Sequence, residues 1–308
     1  MVQVVSSLEE IQEQRPTALA IGTFDGVHLG HQLLLQKMIG QVEGLRTAVL
    51  TFHPHPKKVV RNVTGRLYLA TLEQRIQLIA EQGIDLVITL PFDETMRHTR
   101  AADFVDQLKR YVGIQQLWSG DFGLGYKREG NAAYLTELGQ AGKFTVHEVH
   151  ELLQISGEAV SSTRIREQLQ AGDVAALRPL LDRPYQLSGI VIQGDQRGRT
   201  INFPTANLDV WDEIMIPANG VYATWATVGE ERYAAATNIG VRPTVDGVNL
   251  RIEAHLLDFD EDIYGEVVTL DFLERVRSEK KFSGLEELKA QIAADVEQVR
   301  EICAAEDV

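Results

Sequence analysis

A single cysteine, Cys303, stands in 308 residues. No internal disulfide can form, and a reducing cytoplasm is the expected location. No run of about twenty apolar residues occurs, so no membrane-spanning helix is expected, and no secretory leader is recognisable. Basic residues are also in short supply. The 30 Lys and Arg against 44 Asp and Glu leave a formal charge of −14, which argues against a general binder of nucleic acid or of anionic membranes. A GxxxxGK[ST] segment is missing, which disfavours a P-loop kinase. His98, His147 and His150 lack partner ligands at zinc spacing, so no structural metal is expected. Repeats and low-complexity tracts are absent. What remains is ordinary for a globular chain, with 44% hydrophobic and 24% charged residues. At this length two domains are the first expectation. Nothing here fixes an oligomeric state, and a homo-oligomer stays open.

From residue 17 to about 150, short apolar runs alternate with helical patterns. The expected strands are Thr17–Gly22, Arg46–Phe52, Ile84–Leu90, Gln115–Ser119 and Phe144–Val149. The expected helices are Leu29–Val42, Leu72–Gln82, Ala101–Val112 and Ala132–Ala141. Such alternation predicts a parallel sheet covered on both faces, with ligands beyond the C-terminal strand ends. Ser162–Ala171 reads as a helix stopped by Gly172, and Asp173–Leu181 as a second, which Pro179 kinks or ends early. After Arg183-Pro184 the period changes to two. Val221–Val228, Tyr233–Thr237, Leu250–Leu257 and Val267–Phe272 suit an antiparallel barrel, with Asn219-Gly220 and Asp246-Gly247 as hairpin turn signals. An amphipathic helix, Leu285–Cys303, follows. Its stripe Leu285, Leu288, Ile292, Val296, Val299 and Cys303 reads as core, which leaves the thiol no catalytic part.

The first chemical signal is Gly22-Thr23-Phe24-Asp25-Gly26-Val27-His28-Leu29-Gly30-His31, directly after the apolar run Ala18–Ile21. Residues three apart on a helix share a face, so both imidazoles should point the same way over the first turn. That turn offers unpaired backbone N–H groups and the positive end of the helix dipole, which attract phosphate. Gly30 removes a Cβ where a ligand must come close. A large class of nucleotidyltransferases holds ATP phosphates on such a His-x-Gly-His step. The competing reading makes His31 a core residue, because it lies one turn before the stripe Leu35, Met38, Ile39 and Val42. A paired, glycine-linked step favours phosphate. Thr51-Phe52-His53-Pro54-His55-Pro56 falls at a second strand end; Lys57, Lys58 and Arg61 beyond it read as a solvated charge run.

In the second half, Gly194-Asp195-Gln196-Arg197-Gly198-Arg199 is a Gly-rich basic loop able to present N–H groups and guanidinium to phosphate, although such loops are usually plain turns. In Phe203-Pro204-Thr205-Ala206-Asn207, an extended chain puts Thr205 and Asn207 on one side. Their oxygens suit Mg²⁺ shared with nucleotide phosphates, or equally a turn that Pro204 and Asn207 stabilise. Glu253 lies on the polar face of Leu250–Leu256 with Arg251 and His255. A solvated outer wall is the default, and a catalytic carboxylate requires that this face line a barrel mouth.

Taken together these segments resemble the bacterial bifunctional riboflavin kinase/FAD synthetase family across nearly the whole chain. The resemblance rests on Gly22–Gln32, Thr51–Pro56, Ser161–Arg166, Phe203–Leu208, Pro217–Tyr222 and Glu253–Gly265. It implies an α/β architecture: a Rossmann-like nucleotidyltransferase domain over residues 1–182, then an antiparallel β-barrel flavin-kinase domain with a C-terminal helix over 183–308. It implies that His28 and His31 hold ATP phosphates in a pocket with Gly22, Phe24, Asp25 and Gly30, completed by Ser162, Thr163 and Arg164. Thr205 and Asn207 would hold Mg²⁺–ATP near Gly194 and Arg199, and Glu253 would be the base for the riboflavin 5′-hydroxyl. Riboflavin, ATP and FMN are then substrates, and FMN and FAD products.

Two positions depart from the family pattern. Asn202 stands where a glycine is usual. Gly120-Asp121-Phe122-Gly123-Leu124-Gly125 has Leu124 where the flavin-side loop commonly has an aromatic residue, and Asp121 is carried over as a flavin contact. The alternative is a His-x-Gly-His enzyme acting on another phosphate ester, with a barrel that binds flavin without catalysis.

Overall fold

All five apolar runs expected as strands pair in one parallel sheet. They are β2 (Thr17–Ile21), β3 (Arg46–Phe52), β4 (Leu86–Leu90), β5 (Ile114–Ser119) and β6 (Thr145–Glu148), joined by an N-terminal edge strand β1 (Gln3–Val5). The order is β1-β4-β3-β2-β5-β6, with every pair parallel. The computed structural model describes residues 2–149, 153–194, 203–244 and 247–306, and the chain divides into two compact units, Met1–Ser162 and Thr163–Val308.

The sheet is buried on both faces, as continuous apolar strands require. Along β2, Leu19 and Ile21 enter one cluster with Leu50, Ile88 and Phe104. Ala18 and Ala20 enter the other with Leu35, Met38 and Trp118. Helices α1 (Leu29–Gln41), α2 (Pro56–Arg61) and α3 (Leu72–Ala80) follow β2 and β3. The helix expected over Ala101–Val112 runs as α-helix to Gln107, then widens to a π-turn over Leu108–Val112 that Gly113 closes at φ +76. The chain order reverses between β2 and β5, so ligands are expected where those two strands end.

Helix Ser162–Ala171, which opens on the last residue of the first unit, has the expected bounds. The stretch containing Pro179 is broken into a 3₁₀ turn, Ala175–Leu177, and a short helix, Arg178–Leu181. Proline stands in the first turn of the latter, where its missing N–H costs nothing. Strands β9 (Tyr185–Ile192), β10 (Ala206–Val210), β11 (Gly220–Val228), β12 (Glu231–Thr244), β13 (Gly247–Leu256) and β14 (Val267–Arg277) close an antiparallel barrel in the order β10-β13-β12-β11-β14-β9. A two-stranded hairpin of β7 (Gln154–Ile155) and β8 (Glu158–Ala159) precedes them in the first unit.

One turn expectation needs correction. Asn219-Gly220 is no hairpin: Gly220 opens β11, paired with Ile239. Arg275 donates to the Asn219 carbonyl, and the Asn219 carboxamide donates to Glu279 Oε2 at 3.1 Å. The hairpin that joins β11 to β12 turns instead at Gly229-Glu230, with Gly229 at φ +59. Asp246 lies outside the described residues.

The C-terminal helix, Leu285–Glu306, packs Val299 and Cys303 on Ala223, Leu257 and Leu273. Leu285, expected in that stripe, is 53% exposed at the first turn.

Candidate active sites

Beyond β2 the backbone is held in an unusual form. Phe24, Gly26 and Val27 have φ of +47, +80 and +39, and for a β-branched residue such as Val27 this is strained, at about 1–3 kcal/mol each for the non-glycine residues. Surrounding bonds hold the turn. Asp25 is fully buried, and its Oδ1 accepts from the Leu69 N–H at 2.9 Å. The Ser162 hydroxyl donates to the Asp25 carbonyl at 3.1 Å. Gly26 faces Leu69, whose Cβ would lie 3.0 Å from a side chain there. Gly22 abuts the Phe24 ring, only 3.1 Å from where its own Cβ would be.

The strained turn delivers His28 as the N-cap of α1. Its Nδ1 accepts from the His31 N–H at 3.4 Å, an imidazole in the usual place of an N-cap oxygen. The two imidazoles stack with centroids 3.7 Å apart and an interplanar angle of 16°, so they share one face as the spacing predicted. Phe24 lies against His31 at 5.1 Å. The room left by Gly30 goes to His28, whose ring atoms are 3.2 Å from a Cβ position there. Burial of its Nδ1 side, with added repulsion from His28 and Arg75, holds the His31 pKa well below its ordinary 6.5. His31 is therefore a neutral dipole at pH 7. Of the remaining expected residues, Thr163 and Arg164 occupy the first turn of helix Ser162–Ala171, in the second unit.

Asp121 follows β5, on the other side of the switch point, and is exposed in an ion pair with Arg128 at 2.8 Å. Phe122 is buried in the core and Leu124 packs against the same cluster, so the leucine at the departing position contacts protein. At the end of β3, His55 caps α2: its Nδ1 accepts from the Lys57 N–H at 3.1 Å, and its backbone N–H donates to the Tyr68 hydroxyl at 2.8 Å.

On the barrel, register decides the second site. Asn207 on β10 is the direct partner of Glu253 on β13, and Glu253 is the direct partner of Asn238 on β12. Ile252, Ala254, Thr237 and Ile239 point inward and are buried, so Asn207, Glu253 and Asn238 form one row on the outer face. Glu253 is only 28% exposed, with Arg251 Nη1 3.8 Å from its Oε1, so the row is not a fully solvated wall. His255, two residues along, donates its Nδ1–H to the Pro204 carbonyl, 2.6 Å away, and its ring meets Phe203 edge-on. That clamp lays the Phe203–Thr205 segment against β13, directly before Asn207. Gly194 sits on the Asn207 carboxamide, where a Cβ would approach Nδ2 to 2.3 Å. Arg199 and Asn202 lie outside the described residues. Among the described residues no three His, Cys, Asp or Glu side chains meet as a metal site.

Sequence reasoning missed Arg75, Asn238 and His255. Arg75 carries no local signal within the helix expected over Leu72–Gln82, and the other two needed the strand register.

Comparison with known proteins agrees with this layout. The FAD synthetase family model matches residues 10–164, and the riboflavin kinase family model matches 181–303. The bifunctional riboflavin kinase/FMN adenylyltransferase of Bacillus subtilis is 37% identical over 296 residues, covering 93% of this chain and 92% of that protein. Its counterpart in Listeria monocytogenes is 38% identical over 287 residues (92% and 91%), and that of Escherichia coli K12 36% over 293 (94% and 93%). A crystal structure from Streptococcus pneumoniae, described as a macrolide-efflux protein, superposes with a TM-score of 0.88 at 28% identity, covering 97% of this chain and 98% of that one. No helix among the described residues here is long and apolar enough to cross a membrane. Two consecutive family matches, relatives above 30% identity along almost the full length, and a parallel-sheet unit followed by a six-stranded barrel place the chain in the bifunctional riboflavin kinase/FMN adenylyltransferase family.

Proposed function

We propose that this chain phosphorylates riboflavin to FMN on the barrel and adenylylates FMN to FAD on the parallel-sheet unit, with ATP as co-substrate in both steps. The division of labour assigns residues 1–182 to adenylylation and 183–308 to phosphorylation. The observation that carries the residue assignment is the Asn207–Glu253 register, which sets an oxygen ligand beside a carboxylate on one half-buried face.

On the barrel, Glu253 takes the proton of the riboflavin 5′-hydroxyl as that oxygen attacks the γ-phosphorus, and ADP leaves. Thr205 and Asn207 are the residues that would hold Mg²⁺. Two neutral oxygens fit an ion whose other positions are filled by phosphate and water, and Gly194, lacking a Cβ, leaves room for the Asn207 carboxamide that supplies one of them. When bound, the ion offsets negative charge on the phosphate oxygens. Gly194 and Arg199 flank the nucleotide.

On the sheet unit, the FMN phosphate attacks the α-phosphorus of a second ATP and pyrophosphate leaves. That phosphate is largely ionised at pH 7, with a second pKa of about 6 by analogy with phosphoserine, so no general base is needed. Catalysis is positioning and charge stabilisation. His31 acts as a neutral hydrogen-bonding dipole beside His28 at the start of α1, Gly22, Phe24, Asp25 and Gly30 shape the turn that carries them, and Ser162, Thr163 and Arg164 complete the pocket. Asp121 contacts the flavin after leaving Arg128. The cytoplasm, where a lone thiol stays reduced, is the proposed location.

Product analysis of the purified protein with riboflavin, ATP and Mg²⁺ tests the reading. FMN followed by FAD is expected. Release of pyrophosphate with another phosphate ester, and none with FMN, would favour the alternative acceptor.

A further inference from the structure

Arg75 comes from the first turn of α3 and is fully buried. A buried guanidinium is costly unless its donors are met. Here only Nη1 is met. It donates to the Thr23 carbonyl at 2.8 Å, the Thr51 hydroxyl at 3.1 Å and the Phe52 carbonyl at 3.1 Å. Nε and Nη2 are buried and have no partner among the described residues, and the same holds for His31 Nδ1. All three acceptors lie where β2 and β3 end, and Thr23 directly precedes the left-handed Phe24. Thr51 adds its own bond to the Thr23 carbonyl at 2.9 Å. The charges interact at the site: after burial and His28, Arg75 also opposes protonation of His31, and burial lowers the Arg75 pKa from its usual value, which Asp25 partly offsets.

We propose that Arg75 is the positioning residue of the adenylylation site, locking the Thr23–Asp25 turn that sets both imidazoles and placing a permanent positive charge beneath the phosphate cradle. This rests on the reading of His28 and His31 as that cradle. With His31 neutral, that imidazole brings no charge to a triphosphate, so a fixed cation nearby adds attraction it does not supply. In a low-dielectric interior such a cation acts strongly. The geometry explains the choice of residue. A guanidinium fork is planar and rigid, whereas a lysine ammonium is a point charge on a flexible stem.

Arg75→Met and Arg75→Lys separate charge from geometry. In the methionine variant we expect KM for ATP in FMN adenylylation to rise at least tenfold and the His31 titration, followed by NMR, to move to higher pH. In the lysine variant we expect the His31 titration to stay near wild type while kcat for adenylylation falls at least tenfold. Riboflavin phosphorylation should be unchanged in both. A role in folding alone would lower the melting temperature without moving the titration, and that result overturns the proposal. So do wild-type KM and titration in Arg75→Met. Should the methionine variant fail to fold, wild-type kcat in the lysine variant overturns it instead. His31→Ala serves as the control: if it retains adenylylation, the cradle reading itself has failed, whatever Arg75 does.

Discussion

Asn207 and Glu253 face each other as direct partners across the β10–β13 ladder, which places side chains 46 positions apart in the sequence within one cross-strand pair. Removing either should therefore damage the same reaction. Glu253→Gln is expected to lower kcat for riboflavin phosphorylation by about 10²–10⁴-fold, the usual worth of a positioned base. The same variant should make FAD at the wild-type rate when FMN is supplied. His28→Ala and His31→Ala should do the reverse. Assaying both products for every variant checks this, and loss of both activities throughout would refute the division of labour.

Gly194→Ala tests how tightly the barrel site is set. The added methyl group would meet the Asn207 carboxamide at 2.3–2.6 Å, so that side chain must move. A displacement of about 1 Å at a reacting centre costs on the order of 10²-fold. Kinase activity should drop by about 10–100-fold with FMN adenylylation intact, in steady-state assays with saturating riboflavin.

Stability should depend on pH through His31. Its folded pKa lies below the ordinary 6.5, so between those two values the unfolded chain binds the extra proton. The stabilisation is complete above about pH 6.5 and is lost as pH falls through the folded value. His147, lowered by burial against Trp118, contributes in the same direction. Urea titrations at pH 7.5 and 5.5 should show lower stability at the acid value, and His31→Gln should shrink that difference. An unchanged difference would assign it to other groups.

The C-terminal helix is pinned by an ion pair. Arg277 Nε donates to Asp295 Oδ1 at 3.0 Å and Nη2 lies 2.8 Å from Oδ2, while Gln291 donates to the same carboxylate at 2.9 Å. Asp295 is 4% exposed, so truncating it strands a poorly solvated guanidinium. Asp295→Ala should cost about 3–5 kcal/mol, read by chemical denaturation. Replacing both residues by apolar ones of similar volume should cost much less, and equal losses would show that packing alone holds the helix.

Much of this was legible before any coordinates. Helix Ser162–Ala171 and strand Arg46–Phe52 came out with their expected bounds, because period and caps are local signals. The histidine pair was legible for the same reason, since spacing of three on a helix fixes a common face. What escaped was set by long-range pairing. Asn219-Gly220 has the composition of a tight turn, yet Arg275 and Glu279 recruit it to the start of a strand. Strand β1 spans three residues and is recognisable only through its register with Leu86–Ile88. Arg75 drew no notice because nothing local reports three acceptors waiting at the ends of two strands. Glu253 had a visible face but an undecided environment until β10 and β12 supplied its neighbours.

Two separate nucleotide sites are the heart of the account, one at the start of α1 and one on the outer row of the barrel. Isothermal titration of the full chain with a non-hydrolysable ATP analogue and Mg²⁺ measures this directly. The expected result is two equivalents per chain, one of them removed by His28→Ala and His31→Ala together and the other by Asn207→Ala. Saturation at a single equivalent would contradict it.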